Sequence, residues 1–223
     1  MSRRIITTLF LLALLAPSDG WAKKQKTGVL EKDLFTDSLN GYQFSVPHNW
    51  KLKTENEPSL SRATLQKIKL EKLPAGGSQG YYDGERYIPT IYVLVDTTSL
   101  SLERFCELLL KAKGHLPQEE YYLMKLDLLM QSELESQLKV KVAGQEGVSY
   151  TFQKKYLKTV QDPRQRTYGT SAQITVEESL LGRLVLFKKG NKIFMIQCAG
   201  ERTTFQFEET DYQKFFESWK FKS

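Results

Sequence analysis

Leu184-Val185-Leu186-Phe187 and Ile193-Phe194-Met195-Ile196 stand on either side of Lys189-Gly190-Asn191-Lys192. Two short apolar runs joined by a turn that carries glycine and asparagine are the signature of a β-hairpin. A third run, Ile91 to Val95, is continuously apolar and β-branched. Such a run marks a strand buried on both faces, and so a central place in a sheet. Upstream, Tyr42-Gln43-Phe44-Ser45-Val46 alternates at period two behind the turn residues Asp37 to Gly41. It reads as the second strand of a hairpin that Leu34 and Phe35 open. Pro47 stops it, Trp50 follows, and Lys51-Leu52-Lys53 continues it around a bend. Residues 63–70, 139–142 and 148–152 add further strand patterns.

Two stretches have helical spacing. Ser101 is a good N-cap, Leu100 can staple against Phe105, and Leu102, Phe105, Cys106, Leu109 and Leu110 share one stripe as far as Gly114. Near the C-terminus, Thr210 or Asp211 caps a helix whose stripe is Tyr212, Phe215, Phe216 and Trp219. That aromatic stripe suits a core better than a cofactor box. Residues 117–137 fit a helix and a strand about equally, and their good helix formers favour a helix. The polar stretch 157–173, with Pro163 and Gly169, reads as a long hairpin connection. The expected fold is α+β: a single domain over residues 34–223 with an antiparallel β-sheet flanked by helices, in the manner of an α/β/α sandwich.

The N-terminus carries an address. Arg3 and Arg4 precede the apolar run Ile5 to Ala16, and Gly20-Trp21-Ala22 ends the segment with a small-x-small pattern. Residues 1–22 are therefore expected to be a cleaved secretory signal, too short in its apolar run to span a bilayer. The competing reading is an uncleaved anchor, because Trp21 lies beside the cut. Residues 23–33 are expected to form a flexible tether. No transmembrane segment is expected after cleavage, and the mature protein is expected to be periplasmic or extracellular.

Composition narrows the classes further. The 223-residue chain holds 32 Lys and Arg against 26 Asp and Glu, a net charge of +6. Hydrophobic residues make up 40%, with twelve Phe and eleven Tyr, enough for a folded core. The lysines are dispersed along the chain, as on a solvated surface, and export argues against nucleic acid as a partner.

Chemistry-bearing motifs are sparse. The two histidines, His48 and His115, make no metal spacing with each other or with the cysteines. A pair of Cys106 with His115 is undermined by the apolar stripe around Cys106, which keeps a thiol inert. The glycine-rich loop 74–84 lacks the Lys-Ser/Thr of a phosphate-binding loop, and no Gly-x-Ser-x-Gly elbow is present. No catalytic, cofactor or metal residue is therefore assigned, and no enzyme is expected. The candidate recognition residues are Tyr81, Tyr82 and Asp83 in that loop. Cys106 and Cys198 could form a disulfide if the helix at 101–113 covers the sheet face that Cys198 shares with Phe194 and Ile196; two buried thiols are the alternative.

The run Gly41-Tyr42-Gln43-Phe44-Ser45-Val46-Pro47-His48-Asn49-Trp50, the helix opening Leu100-Ser101-Leu102-Glu103-Arg104-Phe105 and the ending Phe216-Glu217-Ser218-Trp219-Lys220-Phe221 resemble the PsbP-like superfamily. That superfamily includes the extrinsic photosystem II protein, a nuclear Ran-binding protein and many exported bacterial proteins without assigned function. The resemblance spans most of residues 34–221. It implies an antiparallel sheet with helices on both sides and a binding or assembly role, and it carries over no functional residue. The expected function is an exported, non-enzymatic binding or assembly module of the cell envelope, with an envelope protein or a small ligand as partner. The alternative is a small-molecule or lipid carrier with an apolar cleft between the 101–113 helix and the sheet.

Overall fold

The hairpin around Gly190 is the middle of the molecule. In the computed structural model, which describes residues 28–54, 61–69, 87–111, 132–161 and 173–222, β9 (Gln173–Lys189) pairs antiparallel with β10 (Lys192–Glu201), from Lys189↔Lys192 to Leu180↔Glu201. Gly190 takes φ +60° at the first of the two turn positions. That pattern belongs to a type II′ turn, whose twist matches the flanking strands.

Strands add outward on both sides of this pair. β6 (Thr90–Thr97) lies on the far side of β10, followed by β5 (Ser61–Lys67) and β4 (Trp50–Thr54). Beyond β9 come β8 (Gln145–Gln161) and β7 (Glu133–Val142). The result is a seven-stranded antiparallel sheet in the order β4-β5-β6-β10-β9-β8-β7. A second, four-stranded sheet has the order β1-β2-β3-β11, from Val29–Glu31, Leu34–Asp37, Tyr42–Ser45 and Lys220–Phe221.

The large sheet buries both faces. On one, Val93, Val185, Phe187, Phe194, Ile196 and Cys198 meet the small sheet and the helix α2 (Arg202–Ser218). Trp219, one residue past that helix, stacks on Tyr42 with centroids 4.7 Å apart and planes at 7°. Its edge contacts Phe187 at 5.8 Å and Phe194 at 6.1 Å. Aromatic pairs of this kind add about 0.5–1.5 kcal/mol each beyond their buried area. On the other face, Leu94, Leu184, Leu186, Ile193 and Met195 receive Phe105, Cys106 and Leu109 of the helix α1 (Leu102–Lys111). Ser101 caps α1 as its sequence predicts, its Oγ accepting the Arg104 backbone N–H at 3.2 Å.

This architecture corrects the expected α/β/α sandwich. The described residues are mostly strand, arranged in two antiparallel sheets with two helices. One face of the large sheet is covered by a second sheet together with a helix rather than by helices alone. The cause lies at Pro47–Trp50. Asn49 adopts φ +65°, and the Trp50 N–H returns to the Pro47 carbonyl at 3.2 Å. That corner sends β4 into the large sheet while β3 stays in the small one.

Four further expectations are revised. Residues 28–33, assigned to a loose tether, contain β1, held by backbone pairing to β2 although its side chains are exposed. The C-terminal helix starts at Arg202 rather than at Thr210 or Asp211. Its N-cap, Glu201, makes no side-chain capping bond, so the usual cap signal is missing there, and burial of Thr204, Phe205 and Glu208 holds the first turns instead. Residues 133–137, in the stretch assigned to a helix, open β7. Residues 157–161, assigned to a connection, pair with residues 173–177 and lengthen both β8 and β9. The signal sequence, the Tyr81-Tyr82-Asp83 loop and His115 lie outside the described residues.

Cys106 and Cys198 are both buried and unpaired. Cys198 does share a face with Phe194 and Ile196, but that face receives α2, whereas α1 brings Cys106 to the opposite face. The sheet itself separates the sulfurs, and a disulfide needs Cα atoms within about 7 Å. Burial pushes both thiols above the ordinary cysteine range. Unfolding the protein in denaturant without reductant should therefore expose two thiols per chain to a colorimetric thiol reagent. The folded protein should react slowly with the same reagent, and a count of none after unfolding would contradict the fold.

Candidate functional site

Helix α2 crosses only part of the sheet, and its two sides do different work. On one side, Glu208 and Asp211 reach the β4–β5 end. The Lys67 ammonium, with 4% of its side chain exposed, pairs with Glu208, which is 2% exposed. It also lies 3.4 Å from Asp211 Oδ2, and the Trp50 indole donates to that oxygen at 2.9 Å. The Tyr212 hydroxyl donates to the Ala199 carbonyl at 3.0 Å and ties the helix to β10. The spacing 208, 211, 212, 215 is one helical stripe.

The adjacent stripe, Glu209, Gln213, Phe216 and Glu217, faces β7, β8 and β9 across an open trough of about 500 Å³. Val185 and Val142 supply apolar floor, and Ser149 and Thr151 add hydroxyls. Phe216 and Trp219 form the helix wall, while Leu138 and Val140 of β7 form the outer wall. Arg183 rises from β9 within the trough, and its Nη1 donates to Glu209 Oε1 at 2.6 Å. Gln213 Nε2 donates to Glu217 Oε1 at 2.9 Å. Leu138 is 62% exposed, an apolar side chain standing over an apolar trough. The arrangement can hold apolar groups and meet polar ones at its rim. Among the described residues no histidine or cysteine lines it.

The sequence-predicted site residues do not converge here. Tyr81, Tyr82 and Asp83 fall outside the described residues, and Cys106 and Cys198 are core residues on opposite faces. Beneath the described part of the 101–113 helix, Phe105, Cys106 and Leu109 pack against the sheet, and the trough lies beside the other helix. Phe216 was visible as part of an aromatic stripe, and Lys139 to Val142 as a strand. Neither pattern shows that the strand is the last in its sheet. Among the described residues no group of three or more His, Cys, Asp or Glu could hold a metal ion. No helix among them is long and apolar enough to cross a membrane.

No protein-family model and no curated protein matches this chain. It is similar in fold to the solution structure of cyanobacterial PsbP (CyanoP) from Synechocystis sp. PCC 6803, at 13% identity and a TM-score of 0.46, covering 87% of this chain and 95% of that one. It is also similar to LpqN, involved in cell envelope biogenesis of Mycobacterium tuberculosis, at 10% identity and a TM-score of 0.43, covering 82% and 83%. A third similar structure is PA94, a protein of unknown function from Pseudomonas aeruginosa, at 11% identity and a TM-score of 0.32, covering 77% and 85%.

The ion cluster is a clamp that sets where α2 lies. Desolvation acts to lower the Lys67 pKa, but the hydrogen bond and charge of Glu208, with those of Asp211, outweigh it and the pKa is raised. A group with a raised folded-state pKa contributes stability that is full below its unfolded pKa and is lost as pH rises through the folded one. Glu208→Gln should lower stability by about 3 kcal/mol, the scale for breaking a buried pair. Asp211→Asn should lower it by less, because Asp211 is partly exposed. In urea melts from neutral to alkaline pH, the wild-type advantage over Glu208→Gln should be constant up to the ordinary lysine range and shrink above it. An advantage that grew with alkaline pH would refute the clamp.

Proposed function

We propose that this chain is an exported, non-enzymatic binding or assembly module of the cell envelope, and that the trough between α2 and β7–β9 is its recognition site. The observation that carries the reading is the trough itself: an apolar surface beside the last strand of the large sheet, with Leu138 left over it. Arg183 with Glu209 and Glu217 with Gln213 are already engaged in the trough, which suits holding a partner better than moving protons. Export rests on the anatomy of residues 1–22. The open side of the trough favours a partner that remains partly outside it.

A second reading, a carrier of a small apolar molecule, draws on the volume, which falls in the range of small-ligand pockets. Native mass spectrometry separates the two, because a carrier retains a bound small molecule through purification.

The neutral dye N-phenyl-naphthylamine should bind the purified protein and brighten. Leu138→Asp should weaken that binding by about tenfold, since a charge is placed where an apolar group must dock. The melting temperature should barely move, as for other exposed substitutions. Leu157→Asp, at a residue 73% exposed beyond the end of the β7 pairing, is the matched control and should leave dye binding unchanged. Equal affinity in wild type and Leu138→Asp would remove the trough as the site.

A further inference from the structure

Four lysines that are scattered in sequence meet at one corner of the molecule. Lys189 and Lys192 face each other as the last pair of the β9–β10 hairpin. Lys189 reaches over the Phe221 ring, 4.0 Å from its centroid. Lys192 donates to the Leu39 carbonyl at 2.8 Å, in the turn between β2 and β3. Lys222 joins the same turn through its backbone N–H, 3.0 Å from the Gly41 carbonyl. Lys220 lies two residues back, opposite Gln43 on the outward face of the small sheet. Lys189, Lys220 and Lys222 are exposed, and none of the four forms an ion pair among the described residues. Carboxylates at this end are held elsewhere. Asp37 is fully buried and accepts the Asn40 N–H at 3.0 Å and Asn40 Nδ2 at 2.8 Å. Glu217 accepts from Gln213, and Asp96, opposite Ile193 rather than Lys192 in the ladder, accepts the Thr97 N–H at 2.6 Å. Like charges opposed across a ladder are destabilising, and an anionic surface laid over Lys189 and Lys192 relieves that repulsion. Exposed apolar side chains stand among the lysines: Leu39 in the turn, and Val29 in one row with Thr36, Gln43 and Lys220.

We infer that this corner docks on an anionic bilayer surface. The N-terminal segment enters the fold at the same place. Val29 pairs with Thr36, so Gly28 lies at the Asp37 end of β2, beside the turn that carries Leu39. The sequence before it, Lys23-Lys24-Gln25-Lys26-Thr27, holds three more lysines. These five residues separate Gly28 from Ala22, the end of the expected export signal, a reach of about 20 Å. A membrane that holds residues 1–22 therefore stands within that distance of the lysine corner. Each lysine beside anionic lipid raises affinity about fivefold. Apolar side chains among the lysines enter the headgroup boundary, an environment that a soluble polyanion does not offer. The inference rests on the export reading and not on the trough, so the two surfaces stand or fall separately.

Co-sedimentation of the full mature chain with phosphatidylglycerol–phosphatidylcholine vesicles tests it. The chain should bind these and not pure phosphatidylcholine, and binding should fall steeply as added salt shortens the Debye length. Lys220→Gln combined with Lys222→Gln should weaken binding by about twentyfold, whereas Lys220→Arg with Lys222→Arg should stay within about twofold of wild type. Lys51→Gln with Lys53→Gln, at exposed positions of β4 on the edge of the large sheet, removes the same charge and should change binding by less than about twofold. Coincident thermal melts should show the fold intact in every pair. Equal losses from the 220/222 and 51/53 glutamine pairs reduce the effect to net charge and overturn the corner. Undiminished binding by the 220/222 glutamine pair also overturns it, giving attachment to the N-terminal lysines alone. No binding to the anionic vesicles by protein that is retained on soluble polyphosphate assigns the lysines to a soluble polyanion and overturns the inference as well.

Discussion

Burial of β10 on both faces is the constraint from which the rest of the architecture follows. Nine of its ten residues, all but Lys192, are buried. Alternate residues point to opposite sides of a strand, so two separate apolar covers are required. The chain provides them from different places: α1, immediately after β6, for one face, and for the other α2 with strands from both chain ends. β3 and β11 are far apart in sequence but pair at Tyr42↔Phe221 and Gln43↔Lys220, closing the N- and C-terminal strands over the same aromatic cluster. Trp219 belongs to this closure, stacked on Tyr42 and set edge-on to Phe187 and Phe194.

The position of α2 decides what the sheet leaves open. A helix of 17 residues is too narrow to cover seven strands, so its placement selects which strands stay bare. The clamp of Lys67 with Glu208 and Asp211 draws α2 toward β4 and β5. The uncovered ground then lies over β7 and β8. A buried ion pair contributes little net stability compared with an apolar replacement, but it discriminates strongly between arrangements that satisfy it and arrangements that do not. Here that discrimination acts on register: shifting α2 toward β8 would strand a buried ammonium.

Local signals with a physical reason were legible in the sequence. Gly190 marks the central turn, Ser101 the start of α1, and the Ile91–Val95 run a strand inside the sheet. The misread places are those where tertiary context decides. Helix α2 begins at Arg202 behind an N-cap, Glu201, that makes no side-chain capping bond, and its first turns are held by burial that no local pattern reveals. Residues 157–161 run into a polar stretch that carries Pro163 and Gly169, and that polarity resembles a loop although Leu157 and Val160 belong to a strand. The second sheet was hidden because its strands come from both chain ends, and because a single corner at Asn49 separates β3 from β4. The trough escaped notice for a related reason: nothing in Leu138 or Val140 says that theirs is the last strand. The cysteine geometry turned on one fact that spacing does not carry, namely which face each helix takes.

β8 and β9 keep pairing beyond the point where their outer neighbours stop. β7 leaves β8 at Gln153, and β10 leaves β9 at Leu180, yet the ladder runs on to Gln161↔Gln173. At about 3.4 Å per residue this ribbon reaches roughly 27 Å past the sheet. Its root is fixed: Tyr156 donates to Glu201 at 3.0 Å, and Glu178 and Leu180 are buried. Among the described residues its outer part is held by the pairing of two strands, which in water is marginally stable. The molecule therefore holds two tiers of stability along one continuous pair of strands. Amides near Tyr150 and Leu184 are thus expected to exchange their hydrogens only through global unfolding, and those near Thr159 and Thr175 by fraying of the arm.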